Sequence, residues 1–193
     1  PGAGLGEGTR PGRTGTGGLL MQTAAPAVFT ADASNPDNRS AELAVKRYLE
    51  SVGWHVWDVA GHHKGWDLEL ALDRKGPLAF RVDVKLDTWI DGTANVVLEL
   101  WHQFTDGRVT PGWGRNHQLD WVAVVGADSY RALFVDVATL RDIGDTLYSP
   151  FKEYRRDNAG QGVGWTTHGR VIPLAAVWQS GALVDVGQLE GWR

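Results

Sequence analysis

The chain contains no cysteine, so disulfides, thiolate metal sites and cysteine nucleophiles are all excluded. It has no apolar run near the ~20 residues that a membrane-spanning helix needs. The N-terminal segment lacks the apolar core of a secretory signal, so no export is expected and a cytoplasmic location is. Basic residues are not in excess: 19 Lys and Arg face 23 Asp and Glu, a net charge of −4. That balance counts against a passive nucleic-acid coat, which would be basic. It does not count against an enzyme that combines acidic ligands with local basic loops. No serine stands in a nucleophile-elbow pattern, so a serine-hydrolase triad has no support. We find no internal repeat.

What is present is ordinary in amount and uneven in place. Hydrophobic residues make up 42% and charged residues 22% of 193 residues, enough for one domain with a full core. Ten tryptophans are many for this length. Trp54, Trp57, Trp66, Trp89, Trp101, Trp121 and Trp178 lie in or beside apolar runs and read as core. Trp113 and Trp165 sit among glycines and read as more exposed. Residues 1–20 are rich in glycine and poor in large apolar groups, a composition that buries too little surface to offset its ordering entropy. Residues 1–34 are therefore expected to be a flexible arm and lead-in, with Met21 a natural initiator, and residues 35–193 a single domain.

Along that domain, Asn35-Pro36-Asp37-Asn38 is a turn cluster and Ser40 a candidate N-cap. The spacing of Ala41, Val45, Tyr48, Leu49 and Val52 predicts a helix ended by Gly53. A short strand is expected over 55–60, then a polar loop through His62, His63 and Lys64. Two apolar runs follow, Trp66–Leu72 and Leu78–Leu86, joined by the turn Asp73-Arg74-Lys75-Gly76-Pro77. They read as a hairpin. Asp91-Gly92 marks a turn before a strand over 94–101, and 105–118 is a long polar connection. A strand pair is expected over 120–126 and 131–137, then a short helix over 137–143. The stretch 148–169 reads as mostly loop, with short elements at 171–177 and 183–186. The pattern predicts an α/β (α+β) fold, a mixed central sheet flanked by helices.

The hairpin carries the chemistry. Side chains repeat every two residues in a strand, so Asp83 and Lys85 share one face, and Asp67, Glu69 and Ala71 another single face. On alternation alone the plainer reading is a hairpin with one solvated face. Yet Asp is disfavoured inside strands, and Asp67, Asp83 and Asp87 all occupy them. Two carboxylates and a lysine at one point can hold a divalent cation beside a phosphate. Glu42 lies on the helix in the arc of Val45 and Leu49. Two readings stay open for it: a carboxylate favoured by the helix dipole, or one that looks into a site at the sheet edge.

These residues resemble the PD-(D/E)XK nuclease superfamily, the restriction-endonuclease-like fold. There, a helix glutamate precedes a hairpin with an aspartate on one strand and an acid-x-lysine on the next, matching Glu42, Asp67, Asp83 and Lys85. The resemblance covers roughly residues 40–101. Farther on, Trp113-Gly114, Asp120-Trp121-Val122 and Gly164-Trp165-Thr166-Thr167 look similar to small phage-encoded members, whose compartment would be the host cytoplasm. Trp66 stands where the family often has proline. The resemblance implies a DNA endonuclease that hydrolyses phosphodiester bonds through a water bound to Mg²⁺ or Mn²⁺. Asp67, Asp83 and the Val84 carbonyl would be ligands, Glu42 a ligand or the holder of a bound water, and Lys85 the group that positions the water. A homodimer is expected by analogy of fold alone.

Glu99 and Gln103, on or near the next strand, are possible additional site residues. His63 and Lys64, Arg108 and Arg115, and Lys152, Arg155 and Arg156 are candidate nucleic-acid contacts, the last group beside Phe151 and Tyr154. The rival from another class is a non-catalytic DNA- or protein-binding module on the same fold. A third is a sugar-binding or structural β-rich protein, in which the hairpin charges would splay into solvent.

Overall fold

Pro36 begins the first helix instead of merely preceding it, because its fixed φ suits a first helical turn. The computed structural model describes residues 36–60, 62, 65–146, 152–158 and 164–190. The expected arm, residues 1–34, lies outside these, as do His63 and Lys64. Helix α1, Pro36–Ser51, therefore starts a turn earlier than the Ser40 signal suggests. It buries Ala41, Ala44, Val45 and Leu49, whereas Val52 is exposed. The chain leaves α1 through Gly53 at φ +100°, a conformation that costs glycine little.

Among the described residues ten strands follow, in two sheets. The first sheet runs in the order β1, β2, β3, β6, β7, β10. These are His55–Asp58, Leu68–Ala71, Phe80–Asp87, Trp121–Gly126, Arg131–Asp136 and Leu183–Gln188. β3 and β6 run parallel and the other described neighbours antiparallel. A parallel pair needs a crossover, and here it is built from short helix α2 (Ile90–Thr93), β4 (Asn95–Phe104), β5 (Val109–Pro111) and a 3₁₀ turn at Trp113–Arg115. The second sheet has the order β5, β4, β9, β8, with β8 at Lys152–Asn158 and β9 at Trp165–Pro173. Helices α3 (Val137–Thr146) and α4 (Leu174–Gln179) complete the fold. The expected mixed α+β architecture is thus observed. Among the described residues no helix is long and apolar enough to cross a membrane.

The first sheet is covered on both faces. On one, α1 packs over Leu68, Leu70, Val82, Val84, Ala123, Val125 and Phe134. On the other, Val122, Val124 and Val135 pack with Val96, Leu98, Ile172, Leu140 and Ile143 from the second sheet and α3. Asp83 lies opposite Val122, and Lys85 opposite Val124. Their face of β3 is therefore turned toward the second layer. The solvated hairpin face allowed by alternation is not what the chain builds.

Several local expectations change. The stretch 148–169 contains β8 and the start of β9, and Asp91-Gly92 lies in α2. Trp113 is buried, because Gly112 and Gly114 let its turn press onto the Glu99 backbone, where a Cβ would come within 2.6 Å of the Glu99 carbonyl oxygen. Trp57, Trp101 and Trp178 are exposed. Trp54, Phe80 and Trp121 instead form an aromatic cluster, with Phe80 stacked on Trp121 at 4.1 Å.

Candidate active site

Asp67 stands one residue ahead of β2. Its backbone N–H donates to Val82 O at 3.0 Å, and its carbonyl accepts from Val59 N–H at 2.8 Å. β3 runs on past the start of β2, so the Val84 N–H has no strand partner on that side. The Asp67 carboxylate takes it: Val84 N–H donates to Asp67 Oδ2 at 2.8 Å. A side chain thus continues the ladder where backbone pairing stops, and this fixes the carboxylate at the sheet edge. The N–H and C=O of a strand residue point the same way, so the Val84 carbonyl also faces the Asp67 side. Trp66 donates from Nε1 to Glu69 Oε1 at 3.1 Å and lies under the Arg81 guanidinium.

Next to Asp67, whose charge bears on it, Asp83 is buried at 6% exposure. Lys85 Nζ lies 2.9 Å from Asp83 Oδ2. Burial, helped by the Asp67 charge, pushes Asp83 up to about 7 against the pull of Lys85. Partial burial works against the Lys85 charge, but Asp83, Glu99 and Asp67 outweigh it and hold the ammonium above its ordinary pKa. Asp67, Asp83 and Lys85 are therefore brought into one contact group.

Glu42 approaches from α1, on the other face. Burial raises its pKa, Arg39 opposes this, and the Asp67 charge adds to it. Arg39 Nη1 donates to Glu42 Oε2 at 2.6 Å, and the same guanidinium pairs with Asp58 at the end of β1. Glu42 thus flanks Asp67, clamped by a residue that the sequence reading missed. The available signal was the i,i+3 spacing of Arg39 and Glu42.

Glu99 and Gln103 part company. Alternation would put both on one face, but β4 carries a bulge between Glu99 and Trp101. Glu99 pairs with Gly169 and His102 with Thr167, two residues apart on β9, so Glu99 and His102 share a face and Gln103 does not. His102 Nε2 lies 3.8 Å from Glu99 Oε2, and Glu99 in turn acts on Lys85. Burial holds the His102 imidazole below its ordinary pKa, against the pull of Glu99 and with that of Lys85.

Among the described residues no three acidic or histidine groups stand close enough to cage a metal ion. The Asp67–Asp83 pair nevertheless has the chemistry of a lightly held one. Burial and the Asp67 charge hold Asp83 toward its neutral form, and a divalent cation would take the place of the Asp83 proton. Magnesium in particular uses one or two carboxylates and completes its shell with water and phosphate oxygens. The residues present fit that pattern, with the Val84 carbonyl as an added oxygen.

The basic residues are dispersed. Arg115 forms a two-bond ion pair with Asp145 of α3, each at 3.1 Å. Arg108 pairs with Asp106 and lies over the Phe104 ring. Arg155 is exposed, 3.8 Å from Asp157, and Arg156 is half-buried on β8. Lys152 has its backbone in β8, and its side chain is outside the described residues.

No family model and no curated protein matches the chain. Among solved structures, that of a bacterial homing endonuclease, I-Ssp6803I, is similar to it over 57% of this chain and 73% of its own, with 19% identity and a TM-score of 0.44.

Proposed function

We propose that the protein is a divalent-metal-dependent DNA endonuclease of the PD-(D/E)XK type, hydrolysing phosphodiester bonds. The observation that carries this is the contact group Asp67, Asp83 and Lys85, built at a sheet edge where β2 stops and β3 continues. Mg²⁺ or Mn²⁺, when bound, supplies an acidified water and screens the phosphate charge. Asp67 and Asp83 hold it, with the Val84 carbonyl. Glu42, clamped by Arg39, orients solvent at its flank. Lys85 keeps its proton, so it does not act as a base. It donates hydrogen bonds to the attacking water or to a non-bridging phosphate oxygen, where negative charge grows. The test is nicking of supercoiled plasmid: conversion to open circles with Mg²⁺ or Mn²⁺, and none with excess EDTA.

A non-catalytic nucleic-acid-binding module remains the second reading, favoured by the absence of a third acidic group in contact with the pair among the described residues. The two separate on proton linkage. A cation that replaces the proton on Asp83 must bind more weakly as pH falls below about 7. Mn²⁺ affinity, followed by electron paramagnetic resonance, should drop about tenfold per pH unit below that point and level off above it. A pH-independent affinity would place the ion elsewhere.

A further inference from the structure

Beside the acidic centre lies a cleft of about 170 Å³ that the nuclease chemistry does not use. Asn38, Glu99, His102, Asn158, Thr167 and Trp165 line it. It adjoins the centre at two points. Glu99 acts on Lys85, and Asn38 lies one helical turn from Glu42 on the same stripe of α1.

The walls are built, not incidental. Asn158 and Thr167 are 7% and 4% exposed, although both are polar and both line an open cleft. Asn158 Nδ2 donates to Thr167 Oγ1 at 3.0 Å, and Thr167 Oγ1 lies 3.0 Å from His102 Nδ1. Thr167 Oγ1 thus ties Asn158 to the His102 ring. A relay of hydrogen bonds therefore runs from Asn158 of β8 through Thr167 to His102, with the Glu99 carboxylate 3.8 Å beyond the ring. Trp165 faces this relay from the start of β9, tilted against Phe104 at 6.2 Å.

An indole ring beside an ordered row of donors and acceptors is what an unstacked nucleobase needs: a flat partner for its face and polar partners for its edge. The cleft has room for roughly half a dozen waters at ~30 Å³ each, the scale of one ring system and not of a base pair. We propose that this cleft seats a single unpaired nucleotide next to the scissile phosphate, so that the enzyme acts where a strand is single or frayed. This rests on reading the acidic centre as a nuclease site.

Binding can be measured without cleavage. In EDTA, fluorescence anisotropy should show a labelled short oligothymidylate binding the full chain more tightly than a blunt duplex of equal length. Trp165→Ala should weaken the single-strand complex about 10- to 100-fold and leave the duplex complex unchanged. Trp165→Phe, which keeps a ring, should restore most of the loss. Unchanged duplex binding also shows that the variant is folded. Equal affinity for both probes, or single-strand affinity indifferent to Trp165→Ala, overturns the proposal. Plasmid nicking by the wild type is scored separately, so failure of the nuclease reading is told apart from failure of the cleft.

Discussion

Asp83→Asn should remove plasmid nicking while making the metal-free protein more stable. The loss follows from the contact group: the amide cannot replace a carboxylate as a cation ligand and no longer holds Lys85 by charge. A fall of at least ~10²–10³-fold in rate is expected, the scale of losing one preorganised electrostatic group. Lys85→Ala should show a loss of the same order. The gain follows from the sign of the Asp83 shift. Its pKa is raised to about 7 in the folded chain and is near 3.9 when unfolded. The folded state therefore binds the extra proton. Stability from this group is complete below about pH 4 and is lost as pH rises through about 7. At pH 8 the buried carboxylate is a net cost, which asparagine removes while keeping a donor for Asp67. Lys85 still has Asp67 and Glu99. Urea denaturation in EDTA at pH 8 should show Asp83→Asn more stable by roughly 2–4 kcal/mol, with the difference vanishing near pH 4. Equal nicking by wild type, Asp83→Asn and Lys85→Ala would remove the enzyme. A stability loss in Asp83→Asn would mean the aspartate is a structural partner of Lys85.

Leu98→Ala should do the opposite: unfold the protein early and leave the chemistry intact below the transition. Leu98 is fully buried at the centre of the core between the two sheets. Two backbones press on it. A Cβ at Gly114 would come within 2.5 Å of Leu98 Cδ1, and one at Gly144 within 2.7 Å of Cδ2. Backbone held by a 3₁₀ turn and by α3 cannot collapse into the space a leucine leaves, so the cost belongs at the upper end of such truncations, about 4–5 kcal/mol. For a domain of this size that lowers Tm by roughly 10–15 °C. Thermal denaturation followed by circular dichroism measures it, and nicking well below the new Tm should stay within about twofold of wild type. A Tm within ~3 °C of wild type would show that this core repacks.

The sequence and the structure agree where the signal is local. Helix α1 was legible from the spacing of Ala41, Val45 and Leu49, and the β2–β3 hairpin from its alternation and its turn. The pair β6–β7 with α3 after it was legible too. β8 was not. Lys152–Asn158 has no apolar periodicity, and it becomes a strand by lending backbone groups to β9. The bulge at Glu99 was equally hidden. It follows from Gly169, where a Cβ would come within 2.4 Å of the Leu98 carbonyl oxygen, a contact set by a distant strand.

By itself the sequence determined that Asp83 and Lys85 point the same way, since the two-residue repeat of a strand is a property of the backbone. Which way that is, only the tertiary structure decided. Periodicity orients side chains relative to one another, but the layer that covers them is chosen by packing between segments far apart in the chain. The second sheet closes over that face, lifts Asp83 toward neutral pH and sets Glu99, His102 and the Trp165 cleft beside it. β2 starts at Leu68, two residues later than the expected run from Trp66, which frees the Asp67 carboxylate to bond the Val84 N–H beside Asp83.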